Sequence, residues 1–349
     1  MAPVKTPDTS GPAGPRLTRR SLLIGTMGGV LALTGCNEKS DDTSSRQPAS
    51  GKDTPNTADG GPMRVALVMK TLTNPFFIAM EAGARKAATE HGVELLVRTA
   101  AEETSIEQQI TIVGDMIDQG VDALVIAPGD SVQILPALKA AADRGIILVN
   151  IDNRLDPTFA QRLGLGDIPF ISVDNERGAH DAALFLAGAT SGPAKAAIIE
   201  GIRTAANAEA RFQGASRAFG EIPGLELVVH ESANWKIDEG YNVTAQMMRD
   251  HPDLALIYCA NDMMALGAIR RLAELGRPDV MVGGFDALTE AITAIQEGRM
   301  RVTVDQDAAR QGYLGVDYAV RRHKGENVPS ETLVPARLIT ANDFPPAAR

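Results

Sequence analysis

Short apolar runs alternate with helical patterns along this chain, and that alternation limits the fold more than any other feature. Residues 65–69 and 123–126 are continuous apolar runs of strand length. Residues 76–91 carry apolar side chains at helical spacing and end before Gly92. Continuous apolar strands with helices between them are typical of a parallel sheet that is covered on both faces. In the first half we predict strands over 64–69, 93–97, 123–126 and 146–149, and helices over 76–91, 106–119 and 132–143.

The same pattern starts again in the second half. We predict helices over 180–189, 208–219, 237–249, 262–275, 289–297 and 311–323, with strands over 196–199, 225–229, 256–258, 280–285 and 301–304. The fold class is therefore α/β, with two doubly wound parallel-sheet lobes joined by a hinge. We expect 63–173 plus 307–335 to form the first lobe, and 174–306 plus 336–349 the second. The fourth strand should lead into the first crossing between them.

Polar and aromatic side chains follow the predicted strands. Ligands bind at the carboxyl ends of strands in such sheets, and two facing lobes would bring these ends to a shared cleft. Asn207 and Arg211 both follow the strand over 196–199. The candidate ligand-binding residues are Lys70, Asn74, Phe76, Phe77, Asp152, Asn153, Arg211, Trp235, Asn261, Asp286 and Gln306.

This mixture of residue types suits a sugar. Planar carboxylate, amide and guanidinium groups bind hydroxyls in pairs, and aromatic rings cover the apolar C–H faces of a pyranose. Each residue taken alone has another interpretation: a Phe can be a core residue, and Asp262 can cap the helix that follows it. Their joint occurrence at strand ends favours a binding site.

Several segments resemble the type I periplasmic sugar-binding proteins of ABC importers, the ribose- and allose-binding group. The resemblance covers about residues 64–340, and it is carried by residues 68–77, 148–152, 257–262, 282–286 and 303–306. It implies a protein that binds a monosaccharide, an allose- or ribose-like aldose or a related polyol, and delivers it to a membrane permease. It also implies a monomer that is not an enzyme and needs no cofactor.

The resemblance also assigns roles. Asn74, Asp152, Arg211, Asn261, Asp286 and Gln306 would hydrogen-bond the sugar, and Phe76, Phe77 and Trp235 would stack on it. Lys70 fits the allose-like branch better than the ribose-like one. Asn153 departs from the pattern, because ribose binders tend to have arginine there and allose binders an acidic residue. Ala127 also replaces an asparagine of the ribose binders, so the particular sugar stays open.

The sequence pattern of the N-terminal region predicts an export signal. Arg19 and Arg20 precede a short apolar run, too short to span a bilayer, which ends in Leu33-Thr34-Gly35-Cys36. This resembles a lipobox after a twin-arginine signal, with an ordinary secretory signal as the alternative. We therefore predict a signal peptide over 1–35, a lipid anchor on Cys36, a flexible linker over 36–62 and an extracytoplasmic, membrane-anchored protein.

The net charge and the cysteine and histidine content limit the ligands and partners that we expect. The formal net charge is -10, which argues against nucleic acid. Cys36 and Cys259 are the two cysteines, so a lipidated Cys36 leaves no intrachain disulfide. No Cys and His cluster has metal-ligand spacing, and we predict no metal.

Three other classes are alternatives, and the predicted signal peptide and linker exclude one of them, the sugar-responsive repressor. A dehydrogenase would need glycines after the first strand, where 71–75 has none, and a glycosidase would use Asp152 and Asp286 as an acid and base pair. A sugar-responsive repressor would need a basic helix-turn-helix ahead of the domain. A lipoprotein that presents its sugar to a chemoreceptor would have the same site and a different partner.

Overall fold

Two six-stranded sheets organise the computed structural model, which describes residues 61–190 and 192–345. The first sheet has the order β11-β5-β4-β3-β1-β2 and is parallel throughout. Its strands are β1 (Arg64–Met69), β2 (Glu94–Thr99), β3 (Ala123–Ile126), β4 (Ile147–Ile151), β5 (Phe170–Ser172) and β11 (Glu331–Leu333). Strand β1 lies between β3 and the edge strand β2.

The second sheet repeats this plan, with the order β12-β10-β9-β8-β6-β7. Its strands are β6 (Ala194–Glu200), β7 (Leu225–Ser232), β8 (Leu254–Cys259), β9 (Met281–Gly283), β10 (Val302–Asp305) and β12 (Arg337–Thr340). All its pairs are parallel except the edge pair β10 and β12. The predicted fold class, two parallel-sheet α/β lobes, is confirmed.

Helices cover both faces of each sheet. Those of the first lobe are α1 (Pro75–His91), α2 (Ile106–Asp118), α3 (Leu135–Asp143), α4 (Pro157–Arg162) and α10 (Ala308–His323). Those of the second are α5 (Asn175–Ala187), α6 (Ala206–Gly220), α7 (Ile237–Asp250), α8 (Asp262–Glu274) and α9 (Thr289–Gln296). Alternate β1 residues enter different hydrophobic clusters, with Val65 and Leu67 in one and Ala66 and Val68 in the other. Because both faces of such a strand are buried, its sequence is a continuous apolar run.

The chain passes between the sheets three times: after β5, after β10 and between β11 and β12. We predicted that the fourth strand leads into the first crossing, and this was wrong. The short β5 stands there, added beyond β4 at the edge that also receives β11. At three residues, β5 is too short to produce a recognisable pattern.

Helix α10 returns to the first lobe, where it packs against α1 and β4. The approach is close because both helices have glycine at the contact. A Cβ atom on Gly83 would lie 1.8 Å from the Ala309 carbonyl oxygen, and one on Gly312 would lie 2.0 Å from the Met80 carbonyl oxygen. These two glycines therefore allow α10, the helix that follows the second crossing, to pack closely against α1.

The predicted signal peptide over 1–35, the anchor Cys36 and nearly all of the linker over 36–62 lie outside the described residues. Across residues 61–190 and 192–345, we find no helix that combines the length and the apolar character needed to cross a membrane.

Candidate functional site

Side chains from the strand ends of both lobes converge on one small pocket. Its lining residues are Lys70, Asn74, Phe76, Phe77, Glu103, Asp152, Asn207, Arg211, Trp235, Asn261, Asp286 and Gln306. The cavity has a volume of about 20 Å³, which is room for about one water. Since this is too small for a monosaccharide, a sugar must enter by movement of the lobes or of the lining side chains.

A larger cavity of about 350 Å³ lies next to this pocket, and it shares Asp152 and Asn207 with it. Its wall also includes Val173 and Leu333, which border two of the crossings. We assign the site to the smaller pocket, because buried polar and aromatic side chains from both lobes converge there.

The first lobe contributes a buried charge cluster. Lys70 Nζ lies 2.9 Å from Asp152 Oδ2 and 3.8 Å from Glu103 Oε2. Asn74 Nδ2 donates to Glu103 Oε1 at 3.0 Å, while its Oδ1 accepts from the Phe76 N–H and caps α1. Burial raises the pKa of Glu103, and the Lys70 ammonium opposes that rise. Glu103 is therefore a buried carboxyl whose charge depends on its neighbours.

Two phenylalanine rings lie beside this cluster. Phe76 and Phe77 meet edge to face, with ring centroids 5.1 Å apart. Lys70 Nζ lies 5.5 Å from the centroid of the Phe77 ring. Both rings come from the first turn of α1, which Pro75 begins at a position that suits proline. The site thus has apolar surface next to its charges.

Arg211 organises the second lobe's half of the pocket. Its Nε donates to Asn175 Oδ1 and its Nη1 to the Ala260 carbonyl oxygen, both at 2.8 Å. Its guanidinium carbon lies 3.8 Å from the centroid of the Phe285 ring. These contacts fix the guanidinium plane, so Arg211 meets a ligand with little loss of side-chain freedom.

Asp286 lies beside Arg211, with Oδ1 3.5 Å from Arg211 Nη1. Gln306 Nε2 donates to the same oxygen at 2.7 Å. Both contacts involve Oδ1, which leaves Oδ2 to accept from a ligand hydroxyl. Burial raises the pKa of Asp286 to about 7, although the Arg211 guanidinium opposes that rise. The carboxyl therefore titrates near neutral pH.

Trp235 and Asn261 complete the second lobe's contribution. The Trp235 side chain fits above Gly201, where a Cβ atom would lie 2.1 Å from the indole Cζ2. Asn261 Nδ2 donates to the Trp235 carbonyl oxygen, and its Oδ1 accepts from the Met264 N–H. Asn261 is therefore the cap of α8, and our alternative that Asp262 caps this helix was wrong. Buried Asp262 instead accepts from Thr303 Oγ1 and from the Leu288 N–H.

Three buried polar atoms at the pocket have no hydrogen-bond partner among the described residues: Asp152 Oδ2, Asn207 Oδ1 and Trp235 Nε1. The 2.9 Å contact of Asp152 Oδ2 with Lys70 lacks hydrogen-bond geometry. The Lys70 ammonium therefore balances the charge of Asp152 but leaves Oδ2 able to accept a hydrogen bond. Asn207 Oδ1 and Trp235 Nε1 lack any partner among the described residues, which costs about 1–3 kcal/mol for each atom. Two acceptors and one donor are thus left for a ligand that carries hydroxyl groups.

The backbone is strained at the same place. Asp152, Trp235 and Asp286 have φ values of 63°, 67° and 123°, in a region that residues with side chains rarely adopt. Such strain persists where the surrounding structure holds it, and it concentrates at functional sites. Each of these residues follows a strand end and turns its side chain toward the pocket.

Ten predicted residues line the pocket: Lys70, Asn74, Phe76, Phe77, Asp152, Arg211, Trp235, Asn261, Asp286 and Gln306. The structure does not bring Asn153 there, and instead its Oδ1 accepts from the backbone N–H of Asn207. Sequence reasoning missed Glu103 and did not select Asn207. Both follow strands, β2 and β6, so the strand-end rule contained the signal.

The arrangement can bind hydroxyl groups and cover an apolar ring face. Within residues 61–190 and 192–345, we find no group of His, Cys, Asp and Glu side chains placed to hold a metal ion. The carboxylates of the pocket are engaged with Lys70, Arg211 and the amides.

Comparison with known proteins agrees with this chemistry. Residues 65–327 match the family described as periplasmic binding protein domain. The D-ribose/D-allose-binding protein of Pseudomonas aeruginosa is 40% identical over 285 residues, covering 80% of this chain and 89% of that protein. The D-allose-binding periplasmic protein of Escherichia coli is 31% identical, covering 79% and 91%.

A solved structure extends the similarity to three dimensions. The ABC transporter periplasmic solute binding protein of Actinobacillus succinogenes, crystallised with D-allose, superposes with a TM-score of 0.76. It is 34% identical, and the match covers 80% of this chain and 98% of that one. The names of the Escherichia coli and Actinobacillus succinogenes proteins place both in the periplasm, and the latter belongs to an ABC transporter. The chain belongs to the periplasmic binding protein family.

Proposed function

We propose that this protein binds a monosaccharide between its lobes and delivers it to the membrane permease of an ABC importer. The observation that carries the proposal is a set of buried pocket atoms from both lobes that have no hydrogen bond among the described residues. Asp152 belongs to the first lobe, while Asn207 and Trp235 belong to the second. One small polar ligand that pairs with all three would hold the lobes together.

Each lining residue has a role in this proposal. Asp152, Glu103 and Asp286 accept from sugar hydroxyls, and Lys70 and Arg211 donate to them. Phe76, Phe77 and Trp235 cover the C–H faces of the ring. We infer an allose- or ribose-like aldose or a related polyol, because relatives that match most of this chain bear the names of ribose and allose binders.

A ligand screen tests the function. The single tryptophan of the chain is Trp235, so its fluorescence reports on the pocket alone. Pentoses, hexoses, polyols and inositols should be screened by fluorescence and by thermal shift. A cognate sugar should stabilise the protein by about 2.7 kcal/mol at a hundredfold excess over Kd. Arg211→Ala should remove the response, since losing one partner of a buried charged hydrogen bond costs about 2–5 kcal/mol. The proposal fails when no sugar shifts either signal.

We further propose that the protein is exported, held to the membrane by lipid on Cys36 and monomeric, with 63–173 plus 307–335 and 174–306 plus 336–349 as its lobes. The lipobox-like run that ends in Cys36 supports the anchor. Cys36→Ser should lose lipid labelling and leave the membrane fraction, with sugar binding unchanged because the pocket is built from later residues. Cys259→Ser is the matched control and should keep its lipid. Equal labelling of the Cys36→Ser protein would contradict the anchor.

A further inference from the structure

The N-terminus of α6 is capped by the opposite lobe. Its N-cap residue, Ala205, has no side-chain acceptor to offer. The N–H of Ala206 instead donates to Ser131 Oγ at 3.0 Å, and the N–H of Asn207 donates to Asn153 Oδ1 at 3.1 Å. Ser131 and Asn153 follow β3 and β4 of the first lobe. Two of the orphan donors of this helix are thus satisfied across the cleft.

The two acceptors are held rigidly. Asn153 Nδ2 donates to Ser131 Oγ at 3.3 Å and to the Pro128 carbonyl oxygen at 3.1 Å. The N–H of Ser131 donates to the Thr204 carbonyl oxygen at 3.2 Å, which adds another bond between the lobes. Asn153 is 0% exposed and Ser131 is 6% exposed, so little water competes for these bonds. We call these contacts of Ser131 and Asn153 with residues 204–207 the trans-cap.

We propose that Ser131 and Asn153 are positioning residues for ligand binding, which act by capping α6 across the closed cleft rather than by touching the sugar. The inference rests on the proposed function. Helix α6 carries Asn207 and Arg211 into the pocket, so the trans-cap fixes both side chains relative to Asp152 of the first lobe. Opening the lobes returns both N–H groups to water.

The trans-cap can be broken from either side. Ser131→Ala removes the acceptor, and Ala206→Pro removes the donor. Proline suits the first position of a helix, and Ala205 already has the extended conformation, φ -96° and ψ 126°, that a following proline requires. Thr289→Pro is the matched control, because Thr289 is the exposed first residue of α9 and its N–H has no partner among the described residues.

Sugar affinity and rate constants should be measured in the full chain. Ser131→Ala and Asn153→Ala each remove one side-chain hydrogen bond between the lobes and should weaken binding about fivefold, through faster dissociation. Ala206→Pro should weaken binding at least as much, because its ring Cδ also replaces the N–H proton that points at Ser131 Oγ. The double variant Ser131→Ala/Ala206→Pro should bind no more weakly than the weaker of its two single variants, because both changes remove the same bond. Thr289→Pro should bind as the wild type does. Additive losses in the double variant, a loss confined to the association rate, or unchanged affinity in the single variants would overturn the inference.

A second readout needs no ligand. Spin labels at Glu107→Cys and Asp238→Cys, exposed residues of the two lobes, report the distance across the cleft in a Cys36→Ser background. Without sugar, Ser131→Ala and Asn153→Ala should reduce the fraction of closed molecules that remains in the distance distribution, and Thr289→Pro should not. Identical distributions in all variants would overturn the trans-cap. If no sugar binds in the screen, the proposed function is wrong. The spin-label distances would still test the trans-cap, because they are measured without a ligand.

Discussion

At the scale of single residues, Asp286 shows how a binding group can destabilise the fold that holds it. Burial raises its pKa from 3.8 to about 7, so the folded protein binds a proton more tightly than the unfolded chain does. Its contribution to stability is complete below the unfolded pKa and is lost as the pH rises toward 7. Each unit of pKa shift is worth about 1.4 kcal/mol.

Asp286→Asn should therefore flatten the pH dependence. The free energy of unfolding of the variant, relative to the wild type, should rise between pH 4 and pH 8, while sugar affinity falls because a ligand hydroxyl loses its charged acceptor. Loss of the contact with Arg211 lowers the stability of the variant at every pH. The decisive quantity is therefore the slope of the free energy of unfolding against pH, and not its absolute value. Denaturant unfolding at several pH values gives it. Parallel curves for the two proteins would mean that Asp286 keeps an ordinary pKa.

Gly201 controls the position of Trp235. A Cβ atom at Gly201 would lie 2.1 Å from the indole Cζ2, and the ring has to move to accept it. Gly201→Ala should cost about 1–3 kcal/mol of stability and shift the fluorescence of Trp235. Sugar affinity should fall at least tenfold, because the stacking face moves. Gly166→Ala is the control, since its nearest neighbour would lie 3.9 Å away. An unchanged emission spectrum in Gly201→Ala would contradict this packing.

At the scale of elements, glycines set the approach of α1 and α10. Gly312→Ala would bring a Cβ atom within 2.0 Å of the Met80 carbonyl oxygen, which is backbone and cannot move aside. We expect a loss of several kcal/mol or failure to fold. Gly114→Ala, within α2 and with nothing within 4 Å, should instead stabilise by about 0.5–1 kcal/mol. Thermal unfolding of both variants tests this. Equal melting temperatures would show that the two helices can separate without cost.

The same scale shows what the sequence could predict. The long elements were predicted because a helix of 13 or 17 residues repeats its apolar stripe several times. Strands β5 and β11, with three residues each, were missed, since so short a run has no period. Their place in the first sheet is set by pairing with each other and with β4, which is a tertiary effect.

The pocket was predictable to the extent that strand ends define it. The sequence could not show which of two adjacent residues with similar chemistry faces the pocket. Glu102 is exposed and pairs with Lys236, while Glu103 is buried beside Lys70. Asp152 faces the pocket and Asn153 faces α6, because the left-handed backbone at Asp152 redirects the chain. Only the assembled fold decides which of two such neighbours meets the ligand.

At the scale of the whole molecule, two kinds of contact join the lobes. Lys236 Nζ lies 2.6 Å from Glu102 Oε2, and the hydrogen bond with Lys236 lowers the pKa of Glu102. This pair is exposed and screened by salt, so it contributes little. The trans-cap is buried, and the pocket between the lobes holds polar atoms that make no hydrogen bond within the part of the chain that the structure describes. Closure should therefore depend on the ligand much more than on the surface ion pair.

The last prediction concerns the motion that this dependence implies. The pocket has a volume of about 20 Å³, too small for a sugar to enter, and both lobes line it. We therefore predict that the lobes separate before binding and close afterwards. Small-angle scattering should give a larger radius of gyration without the cognate sugar than at saturation. Arg211→Ala, which loses the ligand contact, should keep the larger value in both conditions. A radius that stays constant through the titration of the wild type would mean that the cleft is preformed, and delivery by lobe closure would then be wrong. A radius of gyration that decreases with sugar in the wild type and not in Arg211→Ala would show that the bound ligand causes closure. The two proteins share the same hinge and differ at one buried side chain.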